Sequence, residues 1–115
     1  MNEPMKETEI TGYHAHVYYD ADSKETAARL REAVEQRFAV RLGRWHDQPI
    51  GPHPHGSYQI AFEPTLFGEL VPWLALHRDG LVVLVHPETG DDLADHGERA
   101  MWLGESQVLD LEKLR

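Results

Sequence analysis

Residues 9–20 read EITGYHAHVYYD, and the way this stretch folds decides the architecture of the whole chain. It is rich in β-branched and aromatic residues and reads as a strand. Side chains alternate along a strand, so setting Ala15 and Val17 toward a core sends His14, His16 and Tyr18 together to the opposite face. Two imidazoles on one face of one strand raise a question that the rest of the chain must answer: does anything else come to meet them?

Downstream of the strand, Asp22 with Glu25 three residues later resembles a capping box. It opens a helix in which Ala27, Leu30, Val34 and Phe38 recur at helical spacing. AVRLGRW (39–45) is a second strand, and HDQPIGPHPHGS (46–57) a Pro/Gly-rich connection too long for a tight hairpin. YQIAF (58–62) is a third strand. LFGELVPWLALHR (66–78) reads as a second helix, although an interior Pro72 costs about 3 kcal/mol unless a kink or helix start absorbs it. LVVLVH (81–86) is a fourth strand, and VLDL (108–111) a short terminal one after a long loop with one or two helical turns.

The order βαββαβ plus a tail, with right-handed crossovers, predicts an α+β ferredoxin-like sandwich with strand order 4-1-3-2 and both helices on one face. Residues 1–9 read as a flexible polar terminus and 10–115 as a single domain. The second face of such a sheet must be polar, covered by the tail, or buried in a homodimer through or near it. Strands one and three are expected to run parallel, with strand four antiparallel beside strand one. That places His14 and His16, His53 and His55 of the Pro/Gly-rich loop, and His86 at one end of the sheet.

Composition narrows the function classes. The 115 residues are 41% hydrophobic and 27% charged, as in an ordinary globular domain, and a chain this long buries about two thirds of its unfolded surface without help from disulfides or metal. There is no cysteine, which excludes thiolate metal sites and fits a reducing cytosol. MNEPMKETEI lacks the basic start and apolar stretch of a signal peptide, and the longest apolar runs are too short to span a bilayer. A soluble, cytoplasmic protein is expected. Twenty acidic against eleven basic residues give a net charge of −9, which disfavours nucleic acid and anionic membranes as partners. A small molecule suits better.

Imidazole is a good ligand for Fe, Zn, Cu or Ni, and a His-x-His strand lets two rings reach one ion. A site with three protein ligands leaves positions for water or substrate. Glu63, Glu88, Asp91 and Asp92 are available carboxylates, but no spacing singles one out. Taken alone, a His-x-His pair is more often a surface pair than a metal site, and loop histidines are often plain polar groups. His96 can be read as a turn cap, while His46 and His77 lie near element ends facing solvent. The convergence of several histidines under one topology is what favours a site. Trp102 follows His96 closely enough to line a pocket.

YHAHVYYD (13–20), PIGPHPHGSYQIAF (49–62) and LVVLVHPETGDDLADHGERAMWLG (81–104) together resemble the signature blocks of the DOPA 4,5-dioxygenase family of small bacterial and fungal proteins. The resemblance runs from about residue 10 to the C-terminus. It implies a dimeric non-haem Fe(II) extradiol dioxygenase, which opens a catechol ring next to the two hydroxyls using O₂; Zn or Ni are other ions a purified protein would carry. His14, His16, His53, His86 and His96 fall on the family's histidine positions, with His55 outside that set. The expected assignment is His14, His16 and His86 as metal ligands, with His53 and His96 as acid/base or substrate-orienting groups. An acidic protein binding an anionic catechol needs a local cation, and Arg44, Arg78 and Arg99 are available. Arg99 is favoured because it lies in a signature block, and Trp102 joins it as a substrate-binding residue. The competing reading is a non-catalytic dimeric domain that binds a divalent metal and turns nothing over.

Overall fold

The computed structural model describes residues 7–115, so most of the 1–9 segment expected to be flexible lies outside the described residues. Strand β1 (Gly12–Tyr19) is followed by helix α1 (Lys24–Arg37), β2 (Arg41–Leu42) and β3 (Gly56–Phe62). Helix α2 (Phe67–His77), β4 (Val83–Glu88), the short helix α3 (Asp92–His96) and β5 (Met101–Leu103) complete the order. The sheet runs β2-β3-β1-β4-β5, which is the expected 4-1-3-2 order with one strand added beside β4.

All the pairings are antiparallel, including β1 with β3. The expected parallel β1–β3 pair is therefore wrong. A β-α-β crossover sets β1 and β2 in the same direction, and the connection from β2 turns the chain back, so β3 opposes both. The loop that precedes β3 consequently enters at the far end of β1, where Tyr19 stands opposite Gly56. Gly56 is required there: a Cβ would meet the carbonyl oxygens of His46, Asp47 and Tyr19 at 3.0, 3.1 and 3.1 Å.

Ala15 and Val17 of β1, Tyr58, Ile60 and Phe62 of β3, and Val83 and Val85 of β4 all project into the core. Ala27, Leu30 and Val34 of α1 and Leu70 and Leu74 of α2 pack onto them from one side. Helical spacing thus predicted the buried stripe, but the capping box did not form. Ser23 is the N-cap without a side-chain bond, and Asp20 instead accepts hydrogen bonds from the Ser23 amide and hydroxyl. Pro72 is accommodated inside α2 on its exposed side, where water can reach the Gly68 carbonyl that loses its partner.

The C-terminal part of the sheet differs from expectation. The final strand is Met101–Leu103, and VLDL is not a strand; a single 3₁₀ turn spans Leu111–Leu114. Val83, Leu84 and Val85 of β4 offer a free ladder edge that Leu103, Trp102 and Met101 reach first. The sheet's other face is covered by the chain's own 43–55 and 89–110 segments, leaving His86 and Asp95 with no exposure.

Candidate metal centre

Strand register assembles the site face. His14 stands opposite His86 and Ala61, and His16 opposite Leu84 and Gln59. Leu84 in turn stands opposite Trp102. Residues opposite one another share a face, so His14, His16, Tyr18, His86 and Trp102 all project away from the core.

Two further histidines arrive from outside the sheet. His53 is carried by a turn in which its amide donates to the Ile50 carbonyl at 3.0 Å, with Gly51 at a φ of 55°. Pro52 and Pro54 flank it and restrict the backbone. The tail pins the same loop, since the Asp110 amide donates to the Pro52 carbonyl and His55 Nε2 lies 2.9 Å from Gln107 Oε1. His55 thus fastens the loop instead of joining the cluster. The loop folds back over the sheet, and so His53 reaches His16 even though the strands are antiparallel.

His96 ends α3, which is tied to the end of β4 by a buried carboxylate. Asp95 accepts from the Thr89 amide at 2.9 Å, the Thr89 hydroxyl at 2.8 Å and Arg99 Nη1 at 3.2 Å. These bonds hold the Asp95 carboxyl below its ordinary range although burial opposes them. Asp91 caps the helix by accepting from the Ala94 amide.

The five rings converge. His16 and His86 are stacked at 5.1 Å between centroids, with their Nε2 atoms 3.0 Å apart. His16 lies 4.2 Å from His53, and His86 lies 4.0 Å from His96. Two sets of three present ligand atoms all within 4.8 Å of one another: His14, His16 and His86, and His16, His53 and His96. His16 belongs to both.

Burial and hydrogen bonding set the protonation and orientation of these rings. Burial, reinforced by neighbouring imidazoles, lowers the pKa of His14 and drives that of His16 well down. Burial likewise brings His53 and His86 to about 4. His86 Nδ1–H donates to the Pro87 carbonyl at 3.0 Å and His96 Nδ1–H to the Asp92 carbonyl at 2.8 Å, while His14 Nδ1 lies 3.1 Å from a Glu88 carboxylate oxygen. Donation from Nδ1 leaves Nε2 of His86 and His96 as a bare lone pair, the arrangement by which oxygen acceptors behind metal-binding histidines fix the tautomer. Two nitrogens at right angles on one ion with bonds of about 2.1 Å stand about 3.0 Å apart, which is the His16–His86 separation. The residues fit a divalent metal.

A sequence profile of the Dopa 4,5-dioxygenase family matches residues 13–113. This chain belongs to the DOPA 4,5-dioxygenase family. A DOPA 4,5-dioxygenase of Amanita muscaria is 37% identical over 117 residues, covering 94% of this chain and 51% of that protein. An uncharacterised 21.2 kDa protein of Botryotinia fuckeliana is 34% identical over 125 residues, covering 98% of this chain and 68% of that protein. The chain thus spans about half the length of the Amanita relative. A crystal structure of a Nostoc punctiforme protein, provisionally described as a dioxygenase, superposes with a TM-score of 0.91. It is 57% identical and covers 92% of each chain.

Of the family-matched positions, His14, His16, His53, His86 and His96 are all brought together. Trp102 is half-buried on the same face, its ring 6.1 Å from that of Tyr18. Arg99 lies beyond α3, its Nη1 shared between Asp95 and the Thr89 hydroxyl. Tyr18 was not anticipated as part of the site. Its hydroxyl is 2.7 Å from His53 Nδ1, and burial pushes its phenol pKa up, so it stays protonated. Strand alternation had already set it on the histidine face, and that was the available signal.

Proposed function

We propose that this chain is a metal-dependent extradiol dioxygenase that opens a catechol ring, DOPA or a related compound, with ferrous iron as its cofactor. The observation that carries this reading is the cluster of five converging imidazoles, two of them with Nδ1–H donated to a backbone carbonyl so that Nε2 turns toward the cluster. Family membership supplies the reaction class, and the name of the Amanita relative supplies the substrate.

In this reading His14, His16 and His86 hold the ion, and His53 and His96 act on the substrate's protons. Bound ferrous iron supplies a centre that takes both catechol oxygens and O₂, which lowers the entropic cost of their meeting. In the tautomer whose Nδ1–H donates to the Tyr18 hydroxyl oxygen, neutral His53 accepts a catechol proton at Nε2. His96 lies beside His86, with ring centroids 4.0 Å apart, and its Nδ1 is held by the Asp92 carbonyl. Trp102 and Tyr18 offer an aromatic wall to a catechol ring.

Anaerobic addition of Fe(II) to metal-free protein, followed by air and L-DOPA, tests the reading. A near-visible absorbance that grows only with iron and oxygen, and is lost in His16→Ala, is the expected result. No product from DOPA or from a panel of simple catechols, with metal still bound, would replace it with the non-catalytic metal-binding reading.

A further inference from the structure

We propose that Arg44 anchors the carboxylate of the substrate, at the mouth of the cleft that leads to His16 and His53. The inference rests on the catechol reading above and assigns a residue for substrate selectivity. The backbone around Arg44 carries a register defect. Leu42 stands opposite Ile60, and the Gly43 amide donates to the Gln59 carbonyl at 2.8 Å. His46 and Ser57 then exchange two backbone hydrogen bonds, at 2.9 and 2.8 Å. Two residues, Arg44 and Trp45, therefore face the single residue Tyr58. This is a β-bulge, a device that re-aims a side chain and is over-represented beside active sites.

The bulge separates the fates of the two side chains. Trp45 turns to the core, with its ring 4.9 Å from Tyr58 and 5.2 Å from Tyr19. Arg44 lines a cleft with His16, His53, Gln59, Ser57 and Ile50. His16, His53 and Ser57 are buried and form its inner end, while Arg44 and Ile50 are exposed and form its rim. The cleft measures about 210 Å³, below the roughly 300–1,000 Å³ of pockets for drug-sized ligands. It suits a single-ring molecule with its tail toward the rim.

Among the described residues Arg44 is the one arginine or lysine lining this cleft. Arg99 Nη1 is held by Asp95 and Thr89, and Arg78 donates to the Leu81 carbonyl. Arg41 pairs with Glu63. The carboxylate closest to Arg44 in sequence, Asp47, is taken up by Lys24 and by the Tyr19 hydroxyl. Among the described residues Arg44 has no ion-pair partner, in a chain of net charge −9 that otherwise repels anions. An arginine fork on a backbone pinned at both ends is suited to a bidentate carboxylate.

The test is calorimetric binding of a carboxylated catechol and its methyl ester to the metal-loaded full chain, with turnover measured in parallel. Arg44→Gln is expected to weaken binding of the acid at least tenfold more than that of the ester, to raise KM for the acid and to leave its kcat within about twofold. Arg44→Lys should recover part of the loss. Equal losses for acid and ester would overturn the proposal, as would an acid-selective loss in Arg99→Gln but not in Arg44→Gln. If neither compound is turned over yet the acid-selective loss at Arg44 persists, the ring-cleavage reading falls and the anion anchor stands.

Discussion

The Nε2 atoms of His16 and His86 face each other 3.0 Å apart across the β1–β4 ladder. They are not direct partners in register, since His16 stands opposite Leu84 and His86 opposite His14. A diagonal contact of this kind brings two rings from adjacent strands to one point. Donation of His86 Nδ1–H to the Pro87 carbonyl aims its bare Nε2 at that point.

Because His16 belongs to both candidate ligand sets, His16→Ala is expected to lose metal whichever set binds. The other four histidines distinguish the sets. Loss of metal in His14→Ala and His86→Ala, with metal retained but turnover lost in His53→Ala and His96→Ala, is the pattern expected here. Metal content by elemental analysis after dialysis decides it, and the reverse pattern would move the ion to His16, His53 and His96.

Metal should also stabilise the fold, because a ligand bound only by the native state at a hundred times its Kd adds about 2.7 kcal/mol. For a domain of this size that corresponds to a rise in Tm of roughly 10 °C. Thermal unfolding with and without Fe(II) under nitrogen measures it, and His16→Ala should abolish the difference. A Tm that does not respond to metal in the unsubstituted protein would contradict a preformed site.

The metal-free protein should lose stability in mild acid. His53 and His86 are depressed from 6.5 to about 4 by burial, and His16 is also well below its ordinary value. As pH falls below 6.5 the unfolded chain takes up protons that the folded chain refuses, so their contribution is intact above 6.5 and is lost progressively toward pH 4. Urea unfolding midpoints at pH 7.5, 6, 5 and 4.5 should fall in that order, and less steeply in His86→Asn. A flat profile would mean that the rings are not buried neutral.

Much of this was legible in the sequence, for reasons visible in particular residues. Alternation in YHAHVYY set the histidine face, and the helical spacing of Ala27, Leu30 and Val34 set the core. Three points were not legible. The direction of β3 follows from topology and not from any residue in it. The edge strand Met101–Leu103 is only three residues long and exists because β4 offers it an edge. The bulge at Arg44 and Trp45 depends on which backbone groups of β3 find partners, and a propensity pattern carries no record of that. The hydrogen bonds from Arg99 Nη1 to Asp95 and the Thr89 hydroxyl were likewise beyond what its place in a signature block could tell.

Gly56 should tolerate no side chain. Three carbonyl oxygens lie 3.0–3.1 Å from where its Cβ would be, and all belong to backbone that cannot swing aside. Gly56→Ala is expected to cost about 1–3 kcal/mol, the usual range for overpacking. Chemical denaturation measures the loss, and a cost below about 0.5 kcal/mol, half the low end of that range, would show that the β1–loop–β3 junction is looser than described.

Tyr18→Phe isolates the orientation of His53 from its presence. The phenol 2.7 Å from His53 Nδ1 fixes the ring plane, and no other hydrogen bond to that nitrogen is found among the described residues. Removing the hydroxyl leaves a buried ring nitrogen without a partner, a cost of about 1–3 kcal/mol. His14, His16 and His86 are untouched by the change, so metal content should stay as in the unsubstituted protein. If His53 handles the substrate's proton, kcat should fall roughly tenfold while KM moves little, since an acid/base group contributes about 10²–10⁴-fold when fully positioned and is here only loosened. An equal loss of metal and activity would instead place His53 among the ligands, with Tyr18 as the group behind it.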